Sequence, residues 1–373
     1  MLKRVKSFRG FTRYRVITLA LFIVTRSNFR ADEGQYEVYN DTSSQITTFV
    51  VTNGESENRV LIGGRAHFYL LSSLNRYVGW IKQMTGDLIG DPDFQAANLS
   101  SNNPNVAVNI LGAGSLYFDF SGGNQKENLA TTAVWDTNRD VWWVMARVLY
   151  NYSGTYKYKV LLLKVTPTGD VTEFEAGIGG GTDESGNYHG LLGGPKGVIF
   201  INGGGGSNDK ILFTGYRGQM TSFTPAIQNF HPYVAEVTNL DSISSPISGG
   251  DITITNIDNV DTGASNWRGI ALVANPNGTP TNVQIVYTPI TIDITDEIHL
   301  ANYSLSSKTI TSWNAVNLDG YDDLTPTSMV TDGTNLYISG AAVATANNPN
   351  NKKSAVVIAV TASTLYVDTD FNK

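Results

Sequence analysis

The sequence predicts an all-β protein: a β-propeller of four-stranded antiparallel blades, five blades being the first choice and six the second. Three observations carry this. The composition favours strands and turns, with 37 glycines, 18 tyrosines and 41% apolar residues against 16% charged, and it lacks long Lys/Glu/Ala-rich helical stretches. A hairpin pattern recurs along the chain, in "VVTNGESENRVLIGG" (50–64), "VWDTNRDVWWVMAR" (134–147), "FINGGGGSNDKILFTG" (200–215) and "VTDGTNLYISG" (330–340). The anchor strands of these hairpins and of one more divergent unit fall near 62, 144, 213, 271 and 338, a period of tens of residues that marks a repeat architecture.

Each unit opens with an apolar strand, a turn of Asp, Asn, Gly or Ser, and a second strand: Val60–Gly64, Val141–Arg147, Ile211–Gly215 and Leu336–Gly340. Such turn residues accept positive φ or bond their own backbone, which closes two antiparallel strands. A closing half follows in "VGWIKQMTGDLIGDPDF" (78–94), "KVLLLKVTPTGDVTEF" (159–174), "YVAEVTNLDSISS" (233–245) and "SAVVIAVTASTLYVDTDF" (354–371), each an alternating apolar run, a polar turn and a short strand. The divergent unit is placed at 251–315, with "NWRGIALVA" (266–274) as its second strand. Segment 105–120 reads as an outer strand, an insertion or a worn sixth unit. The expected organisation is an N-terminal arm over 1–31 and one propeller over 32–373, with blades near 46–125, 131–180, 195–250, 251–315 and 325–373. Residues 35–52 or the apolar strand 16–24 are expected to complete the blade that ends at "LYVDTDF" (365–371).

The pairs "RVLIGG…VGWIKQMTGDLIGDPDF" and "NLYISG…AVVIAVTASTLYVDTDF" resemble the delta-sixty repeat family of β-propellers, through Gly63–Gly64 and the Asp-x-x-Phe endings Asp91–Phe94 and Asp368–Phe371. The units at 195–250 and 251–315 lose that ending. The resemblance implies a scaffold found largely in surface-exposed proteins and brings no catalytic residues.

Charge divides the chain. Residues 1–31 hold Lys3, Arg4, Lys6, Arg9, Arg13, Arg15, Arg26 and Arg30 and no acid, so this arm carries +8 and leaves −15 for the rest of a chain whose formal charge is −7. Its apolar run Val16–Val24 is too short for a membrane-spanning helix and has the length of a secretory h-region, with cleavage expected after Ser27. Retained, the same arm reads as an assembly element that docks on a neighbouring acidic subunit, and without a nucleic-acid motif it does not point to DNA or RNA.

Chemistry is sparse. Cysteine is absent, which removes disulfides and thiolate metal sites. His67, His189, His231 and His299 are scattered, with no His-Glu-x-x-His run. The glycine-rich "GIGGGTDESG" (177–186) and "NGGGGSND" (202–209) lack the Gly-Lys-Ser/Thr ending of a phosphate loop and read as loops. Asp136, Asn138 and Asp140 begin like a calcium loop, but Val141 and Arg147 stand where Gly and Glu are needed. Asp319, Asp322 and Asp323 read as a solvated inter-blade loop, and no cofactor or metal is expected. Alternation puts Trp142 and Trp143 on opposite faces of one strand, which predicts one of them in the core. Tyr150, Tyr152, Tyr156 and Tyr158 are placed in a variable loop and form the candidate ligand or partner surface.

The expected function is a non-enzymatic structural or binding propeller, a subunit of a virion or other extracellular surface assembly, with neighbouring subunits, a homo-oligomer or a glycan as partners. The alternative is a secreted propeller that binds or cleaves polysaccharide, because residues from several blades can meet at one site whatever their spacing in sequence.

Overall fold

The structure, a computed structural model, describes residues 45–51, 59–70, 74–85, 87, 89–94, 106–108, 114–118, 128–152, 155–176, 188–220, 228–257, 267–276, 280–289, 297–344 and 353–367. These form a five-bladed β-propeller, each blade an antiparallel sheet. Blade 1 comprises β1 (Gln45–Val51), β2 (Arg59–Leu70), β3 (Leu74–Thr85), β4 (Val106–Val108) and β5 (Ser115–Phe118), in the order β1-β2-β3-β5-β4. Blade 2 is β6 (Asn128–Asp136), β7 (Val141–Tyr152), β8 (Thr155–Val165) and β9 (Val171–Glu175). Blade 3 is β10 (Tyr188–Ile201), β11 (Lys210–Met220), β12 (Gln228–Val237) and β13 (Ile252–Asn256). Blade 4 is β14 (Trp267–Ala274), β15 (Asn282–Pro289), β16 (Glu297–Ser304) and β17 (Thr309–Asn317), and blade 5 is β18 (Tyr321–Thr331), β19 (Asn335–Ala344) and β20 (Lys353–Thr361).

The first strands of successive blades are neighbours, β1 with β6, β6 with β10, β10 with β14 and β14 with β18, so they form the inner ring. One face of the disc carries the turns 137–140, 202–209 and 332–334, which join first to second strands. At the opposite face the second strands end and the third strands begin. Close approach of inner strands explains one glycine: a Cβ on Gly197 of β10 would lie 2.7 Å from the Ala271 Cα of β14.

Several expectations change here. Segment 105–120 contributes the outer strands β4 and β5 of blade 1, with β5 pairing β3, and is no sixth unit. Ile252–Asn256 pairs with β12, so it closes blade 3, and blade 4 opens at Trp267, whose strand is the first of its blade rather than the second. Residues 45–51 pair with β2 inside blade 1, not with the blade that ends at "LYVDTDF". Residues 16–24 and the arm residues Lys3, Arg4, Lys6, Arg9, Arg13 and Arg15 lie outside the described residues.

Trp142 and Trp143 are both fully buried, which corrects the expectation of one core residue. A blade in the ring has neighbours on both sides: Trp142 enters the core shared by blades 1 and 2 with Leu61, Ile81 and Phe118, and Trp143 enters that of blades 2 and 3 with Phe213 and Tyr233. The seam of blades 1 and 2 also pairs polar atoms. Trp142 Nε1 donates to Gln83 Oε1 at 2.7 Å, and Gln83 Nε2 donates to Asp91 at 2.8 Å and to the Pro167 carbonyl at 2.9 Å.

Arg139 clips blades 2 and 3. It donates to Asp136 at 3.0 Å, to Asp209 at 2.9 Å and, through two nitrogens, to Asp241 at 2.7 and 2.8 Å. Burial pushes the Asp209 carboxyl up, but hydrogen bonds from Asn138, the Gly203 N–H, Arg139 and the Gly205 N–H outweigh it and hold the group below the usual carboxylate range. The bond from Arg139 likewise lowers Asp241. Arg139→Met strands the buried Asp136 and Asp209, and urea unfolding should show a loss of about 3–5 kcal/mol. Because these folded-state values are depressed, the clip's stabilisation is present at neutral pH and is lost as pH falls below the ordinary carboxylate range. Acid titration of the variant should show a flatter decline than the wild type.

Candidate functional site

The candidate site follows from the register of blade 4. Gly269 of β14 faces Tyr287 of β15, Tyr287 faces His299 of β16, and His299 faces Ala315 of β17. With side chains alternating along each strand, Trp267, Tyr287, Glu297, His299 and Trp313 fall on one sheet face, the face that packs on blade 3 through Leu212 and Val234. They form a row from the innermost strand to the outermost, on the half of the disc where second strands end and third strands begin.

The rings of this row touch in sequence. His299 lies 4.4 Å from Trp267 and 5.4 Å from Tyr287 between centroids, and Trp267 meets Tyr287 edge-on at 5.7 Å. Trp313 is 6.1 Å from His299 and within 10° of parallel to it. Burial is deepest in the middle of the row: Trp267 is half-buried, Tyr287 is fully buried, His299 is 3% exposed and Trp313 is 41% exposed, an unusual position for an indole.

Polar atoms give the row its chemistry. Glu297, on the same face two residues before His299 and half-exposed, lies 2.9 Å from His299 Nε2. A carboxylate only accepts, so Nε2 carries the proton, and in that tautomer Nδ1 is left as an acceptor. That Nδ1 and the Tyr287 hydroxyl are both buried without a hydrogen-bond partner. Burial pushes the Tyr287 phenol well above its ordinary value, so it remains a protonated donor at neutral pH. One orphan acceptor and one orphan donor thus sit on adjacent rings.

The residues singled out in the sequence lie elsewhere. Tyr150, Tyr152, Tyr156 and Tyr158 belong to paired strands and not to a loop, because the β7–β8 hairpin stays in register out to Tyr152 opposite Thr155. They lie on the same half of the disc as the blade 4 row. Asp136 is occupied by Arg139 and by Trp143 Nε1, and Asp140 pairs with Arg59 at 3.6 Å. The glycine-rich loop at 202–209 is folded around the chain's own Asp209, which accepts from the Gly203 and Gly205 N–H groups. Among the described residues no three His, Cys, Asp or Glu side chains cluster as metal ligands, and no helix is long and apolar enough to cross a membrane.

The sequence reading missed the row because its members are scattered over about 50 positions. The signal was an aromatic opening β14, one ending β15 and a Glu-x-His opening β16, but register alone brings them level.

No protein-family model and no curated protein sequence matches the chain. Solved structures similar to it include a GH43 endo-arabinanase from Bacillus licheniformis, at 8% identity over 86% of this chain and 95% of that one, with a TM-score of 0.39. An exo-1,5-α-L-arabinanase from a bovine ruminal metagenomic library gives 8% identity over 87% and 96%, with a TM-score of 0.42. An exo-β-1,3-galactanase from Clostridium thermocellum gives 11% identity over 86% and 60%, with a TM-score of 0.40. These are polysaccharide-degrading enzymes and none is a virion or surface-assembly subunit, a finding that corrects the expectation of a non-enzymatic structural subunit. The likeness is one of architecture, and no residue of theirs is carried onto this chain.

The contrast in burial between His299 and Trp313 separates folding from function. Trp313→Ala should change the unfolding free energy by about 1 kcal/mol or less, whereas His299→Ala, which empties a packed position, should cost about 2–4 kcal/mol in the same denaturant titration.

Proposed function

We propose that the chain is a polysaccharide-active propeller that holds a sugar chain on the blade 4 row. The observation that supports this is the outer end of the row, where the exposed indole of Trp313 shares a face with the half-exposed carboxylate of Glu297. An indole offers a flat apolar surface to the C–H face of a sugar ring, and a carboxylate accepts from the hydroxyls at the ring's edge. The pair His299–Glu297 fixes the carboxylate before the ligand arrives, which lowers the ordering cost of binding.

Hydrolysis by two carboxylates needs a pair separated by about 5–10 Å. Glu297 supplies one such group, so binding is what the row performs by itself, and cleavage needs a second carboxylate brought to the same sugar.

Affinity electrophoresis through gels containing arabinan, β-1,3-galactan, β-glucan or xylan tests the reading, with release of reducing sugar measured in parallel. At least one polymer should retard the wild type, and Trp313→Ala should weaken that retardation about tenfold or more. Equal retardation of the two proteins, or none of either by any polymer, refutes the proposal.

A further inference from the structure

Behind the exposed end of the row lies a feature that stacking on Trp313 does not use. The Tyr287 hydroxyl and His299 Nδ1 are buried and unpartnered, one a donor and the other an acceptor, on rings 5.4 Å apart. Each such orphan is costly, and the two costs are removed together by one hydroxyl group that accepts from Tyr287 and donates to His299. Water can do this in the free protein. A ligand hydroxyl does it only if it reaches past the surface, and the hydroxyls attached directly to a sugar ring are held in the plane of the ring that stacks. An exocyclic hydroxymethyl arm is the part of a sugar with an extra carbon of reach.

We infer that Tyr287 and His299 form a specificity pocket for the hydroxymethyl group of a bound sugar, so that the row prefers hexopyranose or pentofuranose units over pentopyranose units, which lack that arm. This rests on the saccharide reading of the same row. His299 then has two tasks in one ring: Nε2 orients Glu297, and Nδ1 accepts the arm's proton. Trp267 closes the pocket from the inner strand, packed against both rings. A site that buries groups for a hydroxyl discriminates strongly against a ligand that lacks it, because the groups are then left unpaired.

The test uses two sugars of the same ring stereochemistry fixed as pyranosides, methyl β-D-galactopyranoside (below, D-galactose) and methyl α-L-arabinopyranoside (below, L-arabinose), of which the second lacks the hydroxymethyl group. The imidazole nitrogens of the four histidines are followed by nuclear magnetic resonance in the full chain during titration with each. His299 Nδ1 should move with D-galactose and not with L-arabinose, and Tyr287→Phe, which keeps the ring, should weaken the D-galactose response about fivefold. Equal movement with both sugars, or none with either, overturns the pocket. If Tyr287→Phe does not fold, the comparison of the two sugars on the wild type decides alone. Absence of the imidazole response together with Trp313-dependent polymer retardation removes the pocket and leaves the saccharide reading standing. A D-galactose response without polymer retardation supports the pocket and removes the polysaccharide reading.

Discussion

Trp142 and Trp143 are adjacent in the chain, point to opposite faces of β7, and are both fully buried. That pair expresses the constraint on which the rest of the molecule depends. A blade packed between two neighbours has no solvent face, so a sheet such as blade 2 must be apolar on both sides, and a polar group buried at its seams is costly unless it finds a partner within the protein. Gln83 does so with Trp142 and Asp91, Asp209 with Arg139 and the glycine loop, and Glu236 with Lys210 at 2.9 Å. Some buried polar atoms stay unpartnered, the Tyr233 and Tyr303 hydroxyls among them, and at the blade 3–blade 4 seam Tyr287 and His299 place two on neighbouring rings.

The local parts of this fold were legible in the sequence because turns are local. Asp140 takes a positive φ of 52° in the turn between β6 and β7, and Asp332 accepts from the Thr334 and Asn335 N–H groups in the turn before β19. Each does what Asp in such a turn is expected to do, and the second strands follow directly. The outer strands were harder to place. β13 is joined to blade 3 by pairing with β12 across residues 238–251, and β5 pairs β3 at a distance in sequence, so neither could be assigned from its own residues.

Function was less legible than fold for the same reason carried further. Tyr150, Tyr152, Tyr156 and Tyr158 are prominent because they are close in sequence. The row in blade 4 is assembled from four strands, and its members become neighbours only once Tyr287 is set opposite His299. The Arg139 clip shows the same dependence, since Asp241 lies 102 positions away. In a propeller, interactions within a hairpin shape the strands, and interactions across a seam decide where chemistry is possible.

The most direct test of the central claim is a crystal structure of the protein soaked with an oligosaccharide of the polymer that binds it. The account predicts a sugar ring stacked on Trp313, a hydroxyl donating to Glu297, and a hydroxymethyl arm between Tyr287 and His299. A sugar bound within the inner ring of first strands, with Trp313 bare, would contradict it.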